Sequence, residues 1–97
     1  MPLQMREIDD ALPGADLIRD GLRDLETGVE SVPALLVLVG APRLRGLGFD
    51  VPDSPDFRED RLYAKLALEY GNAAHSQYNA LIRRLVSFER AATCVKP

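Results

Sequence analysis

The sequence predicts an all-α fold, a small helical domain with a long C-terminal helix packed in a dimer, on three observations. Ile18, Leu22, Leu25 and Val29 follow one another at helical spacings. A second apolar stripe runs in the same way from residue 62 to residue 92. Between the two, the stretch "APRLRGLGFDVPDSPD" gathers prolines and glycines into a connector. The chain has 97 residues, 46% of them hydrophobic and 28% charged, which is the balance of one folded domain with one modest core.

The first helix is predicted over residues 14–27. Asp16 suits the positive end of its dipole, and Gly28 can close it in the left-handed conformation. Its other face carries Arg19, Asp20, Arg23, Asp24 and Glu26, a solvated mixture of signs. Gly21 either weakens this helix or marks the close approach of another backbone. Ser31 then caps a short buried helix over 32–40, with Pro33 in its first turn. A buried strand is the competing reading, because "ALLVLV" has no period that separates the two.

Residues 41–54 form the Pro/Gly connector, with at most one helical turn near Pro42 to Arg45, and serve as a hinge. From residue 55 to residue 92 the stripe reads Leu62, Leu66, Tyr70, Ala74, Tyr78, Leu81, Leu85, Phe88 and Ala92. It keeps its phase through Gly71, which favours one long helix over a hairpin, with a kink or break at residue 71 as the alternative. A straight helix of that length would be about 57 Å long and would overhang a compact chain of this size. Its projecting face is expected to pair with a second copy, through Tyr70, Ala74, His75, Tyr78, Leu81, Arg84, Leu85 and Phe88.

Charge is distributed unevenly. Residues 1–31 carry three arginines against eight acids, whereas residues 71–97 carry Arg83, Arg84, Arg90 and Lys96 against Glu89, within a net charge of −3. That is too little positive charge for an ordinary nucleic-acid binder, and it suits attraction between opposite ends of like chains. Arg43 and Arg45 lie in a glycine-containing loop without the Lys-Ser/Thr ending of a phosphate loop. The acids Asp9, Asp10, Asp16, Asp20 and Asp24 lack calcium-loop spacing, so no metal or cofactor is expected. Cys94 is the one cysteine, which excludes an internal disulfide and fits a reducing cytoplasm. No stretch has the length and apolarity of a signal peptide or a membrane span.

His75 is the one histidine, and it falls at the border of the apolar stripe with no carboxylate at helical separation. Ser76 points about 100° away from it, so the two form no local catalytic pair. Arg84 falls inside the stripe, where an apolar residue is expected, and calls for a counter-charge. The function these features predict is non-enzymatic: a homodimeric protein–protein interaction module. The runner-up is a small regulator that contacts nucleic acid through Arg83, Arg84, Arg90 and the Arg43/Arg45 loop.

Overall fold

A computed structural model describes residues 8, 10–52 and 58–95, with the side chains of Arg58 and Val95 excepted. Five α-helices follow one another: α1 (Ala15–Glu26), α2 (Val32–Val39), α3 (Ala41–Gly46), α4 (Arg58–Tyr70) and α5 (Ala74–Val95). No strand occurs among the described residues. The expected start of the long helix at residues 55–57 lies outside them.

Helix α2 is the centre of the molecule. Ala34, Leu35, Leu36, Val37 and Leu38 are all buried, as befits a helix that is apolar around its whole circumference. The strand alternative for this segment therefore fails, and the reason is at its start: the Ser31 hydroxyl accepts the Ala34 N–H at 3.2 Å while Pro33 occupies the first turn. The same hydroxyl donates to Asp24 Oδ2 at 2.5 Å, tying the cap of α2 to the end of α1. Gly28, at φ +79°, reverses the chain between them.

Helices α1 and α2 cross at Gly21. A Cβ built there would lie 2.4 Å from the Pro33 carbonyl oxygen and 2.5 Å from Val37 Cγ2. Of the two readings of Gly21, close backbone approach is the one observed. Ile18 and Leu22 on the same face of α1 complete the contact.

The connector is more ordered than a hinge. Leu47, Phe49 and Val51 are buried, and the Arg45 guanidinium donates to the Val51 carbonyl at 2.7 Å and the Pro52 carbonyl at 2.8 Å. Phe49 lies against Phe88 of α5, with ring centroids 5.7 Å apart. A segment rich in proline and glycine can thus be a fixed part of the core when its few apolar side chains all point inward.

The C-terminal helical run is broken, not straight. A 3₁₀ turn at Gly71–Ala73, with Gly71 at φ +55°, reverses the chain, and α5 packs back along α4. Tyr63 and Tyr78 are fifteen positions apart in sequence, which is about 22 Å along a straight helix. Their rings are 5.6 Å apart. The longest dimension of the molecule is 41 Å, shorter than the straight helix expected from the stripe, and its radius of gyration is 13.1 Å. The long helix is the 22-residue α5, and its apolar stripe is covered by the chain itself.

Candidate functional site

The residues expected to form a dimer stripe divide into two groups. Ala74, Leu85 and Phe88 are 4% exposed or less and belong to the core around α2, so they offer nothing to a second molecule. Leu81 is half-buried and packs against that core. The expectation that these positions projected from the domain rested on a straight helix, and the reversal at Gly71 removes its basis. Tyr70, His75 and Tyr78 remain at the surface, wholly or in part.

Arg84 has found its counter-charge within the chain. Its guanidinium donates to Asp16 Oδ1 at 2.9 Å, in the first turn of α1. Both side chains are largely exposed, so the pair is a surface tether. Just beside it, α5 passes so close to α1 that a Cβ on Gly14 would come 2.9 Å from the Arg84 carbonyl oxygen. Arg45 is likewise engaged in holding the connector. Two of the arginines proposed for nucleic-acid contact are therefore spent on the fold.

His75 Nε2 and Asn79 Nδ2 lie 3.2 Å apart, and the imidazole ring is 6.4 Å from Tyr63. Among the described residues, no serine, cysteine or carboxylate is hydrogen-bonded to it. The phenol of Tyr78 is raised above its ordinary value, first by burial and then by the carboxylates of Glu59 and Asp60, which keeps it a hydrogen-bond donor. No group of three or more metal-binding side chains forms among the described residues. Asp9 lies outside them.

Two features that the sequence reading did not single out are more prominent. The first is the outer face of α4. Leu62 and Leu66 turn inward, leaving Ala64, Ala67 and Leu68 exposed on the far side and Tyr63 and Tyr70 exposed on the flank, with Leu68 at 88% and Tyr70 at 46%. At 100° per residue they span roughly 160° of the helix, with Asp60 inside that span and Glu59 at its border beside Tyr70. The charges Arg61, Lys65 and Glu69 occupy the remaining strip. The signal was present in the sequence: α4 is apolar on two sides, and the longer stripe drew attention to only one.

The second is a groove of about 570 Å³ between α2, α3 and α5. Its walls are apolar, from Val39, Pro42, Ile82, Leu85 and Val86. Glu89 lines it too, at only 5% exposure, the one buried charged side chain among the described residues. Burial pushes its carboxyl above the ordinary glutamate range, while the Arg43 guanidinium at the rim pulls in the opposite direction.

Comparisons with protein-family models, with curated proteins and with solved structures return no match. The fold and these two surfaces carry the functional argument.

Proposed function

We propose that this protein is a non-enzymatic protein–protein interaction module that pairs with a second copy of itself through the outer face of α4. The observation that supports this is Leu68, 88% exposed on a helix face made of Tyr63, Ala64, Ala67 and Tyr70. A large exposed apolar face on a small domain is a common mark of an interaction site.

The arrangement along α4 favours a second copy as the occupant. Ala64 and Ala67 sit between the bulkier Tyr63 and Leu68. If two α4 helices lie antiparallel about a twofold axis midway between the alanines, the alanines meet at the centre, with the two Tyr63 side chains along one edge of the contact and the two Leu68 side chains along the other. Small side chains there allow close approach of the backbones, and the contact is self-complementary as a twofold interface requires. The aromatic cluster of Tyr63, Tyr78 and His75 extends the face at one edge. Action in a reducing cytoplasm suits the lone Cys94, which is exposed, and no described helix is long and apolar enough to cross a membrane.

Light scattering on the full chain over a concentration series tests the reading. The wild type is expected as a dimer, Leu68→Asp as a monomer with an unchanged helical spectrum, and Ser87→Asp, on exposed α5 surface, as a dimer. A wild-type monomer at every concentration, or a Leu68→Asp dimer, overturns it.

A further inference from the structure

The side chain of Glu89 is buried, charged when ionised, and has no counter-ion in contact. No carboxylate hydrogen bond and no ion pair within 4 Å engages it among the described residues; its one hydrogen bond is through its backbone carbonyl, which accepts from Thr93 Oγ1 at 2.7 Å. Leaving a carboxylate in an apolar wall without a partner is costly. The cost falls if something else in the groove satisfies it.

Gly40 is what lets the Glu89 carboxyl lie in the wall of this groove. Its φ of −89° is open to any residue, so backbone conformation does not require glycine there. Space does: a Cβ at Gly40 would come 2.9 Å from Leu85 Cδ1 and 3.0 Å from Glu89 Oε2. The Glu89 oxygen thus sits over the bare backbone of Gly40, within a groove whose volume falls in the range of small-molecule sites.

We propose that this groove binds a small organic cation, a primary ammonium carried on a short branched apolar body, with the Glu89 carboxylate as its counter-ion. An anion is disfavoured by Glu89 itself. A divalent metal ion needs more ligands than one carboxylate, and no three-residue cluster supplies them among the described residues. A purely apolar ligand would leave the carboxylate desolvated and unpaired. An alkylammonium meets both surfaces: its charge pairs with Glu89 through a charge-assisted hydrogen bond, and its body covers Ile82, Leu85 and Val86. None of the lining residues lies on α4, so the site stands or falls independently of self-association.

Binding of a cation favours the ionised carboxyl, so affinity is coupled to pH. Arg43, from α3, is the other ionisable residue lining the groove; α2 contributes none, and Glu89 is the one from α5. Affinity for an amine therefore rises with pH as Glu89 loses its proton above the ordinary glutamate range, while the amine stays charged.

The test uses 3-methylbutylamine and its neutral analogue 3-methylbutanol, titrated into the full-length protein and followed by amide NMR shifts. Saturable shifts are expected at Val39 to Arg43 and Ile82 to Glu89, with the alcohol at least about tenfold weaker than the amine. Glu89→Gln should reduce amine affinity by a similar factor and abolish its rise with pH. Val86→Trp, which fills the groove from a half-exposed position, should block both ligands. Equal affinity for amine and alcohol in the wild type, undiminished amine binding by Glu89→Gln, or no saturable shift with the amine overturns the proposal. The wild-type comparison of the two ligands decides even if a variant fails to fold.

Discussion

Two glycine-to-alanine substitutions, both inside helices, should change stability in opposite directions. Propensity alone gives the same sign for each, since alanine is favoured over glycine in a helix by about 1 kcal/mol. At Gly21 the new methyl group meets the Pro33 carbonyl oxygen at 2.4 Å and Val37 Cγ2 at 2.5 Å. The carbonyl is backbone and cannot rotate away, and Val37 is fully buried on a helix, where its χ1 is restricted. The helices must part by about 1 Å to restore normal contact, and a gap of that size forfeits about a quarter to a half of the dispersion energy across it. Overpacking of this kind costs about 1–3 kcal/mol. With the upper part of that range set against the propensity gain, Gly21→Ala is destabilising by about 2 kcal/mol, or roughly 8–16 °C in Tm for a domain of this size. At Gly46, in contrast, no atom of the described residues beyond its chain neighbours and its own helix backbone lies within 4 Å of the new Cβ. Gly46→Ala should stabilise by about 0.4–1 kcal/mol, mostly by restricting the unfolded chain. Thermal melting followed by helical circular dichroism, with urea unfolding as a second measure, reads both. A Gly21→Ala protein that melts at or above the wild-type temperature would refute the close crossing of α1 and α2.

Ser31→Ala should cost about 1 kcal/mol, seen as a fall of about 4–8 °C in Tm, because both the Ala34 N–H and Asp24 lose their partner; Ser31→Thr should keep most of that stability. Glu89 should make stability depend on pH. Its carboxyl is raised from an ordinary value of 4.5, by burial against the partial opposition of Arg43, so the fold favours the protonated form. That contribution is complete below the ordinary value and is lost as pH rises through the raised one. Glu89→Gln cannot ionise, so its Tm relative to wild type should become more favourable as pH rises from the ordinary glutamate value through the raised one. A difference that stays constant across that interval contradicts an uncompensated carboxyl in the groove.

Most local structure was legible in the chain because it is governed by neighbours in sequence. Ser31 and Pro33 fix the start of α2, Gly28 ends the turn before it, and Ile18 and Leu22 point to the buried face of α1. Arg84 was legible as an anomaly, since a cation inside an apolar stripe demands a partner. Its partner, Asp16, lies 68 positions away and could be identified only once α5 was placed across the start of α1. Glu89 was hidden for a similar reason. On the helix it reads as an ordinary surface acid, and it is Gly40 and Leu85, brought together by packing, that enclose it.

The reversal at Gly71 shows what an unbroken stripe does and does not imply. Continuity of phase was expected only of one rigid helix, on the argument that a hairpin has no reason to preserve register between its arms. Here both arms face the same core: Leu62 and Leu66 from α4, and Ala74, Leu85, Phe88 and Ala92 from α5, all pack in the cluster around α2. A turn of three residues, the length of Gly71–Ala73, advances the pattern by close to one helical turn, so the apolar positions resume at the expected spacing after the chain has reversed. The phase is thus set by the shared core on either side of the turn and carries no information about direction. What does carry it is the local chemistry of Gly71, whose positive φ is poorly accessible to other residues. The consequence for function is direct. A projecting helix would have offered α5 for pairing, whereas a hairpin consumes the inner face of α5 and leaves the second apolar side of α4, with Leu68 at its edge, exposed among the described residues.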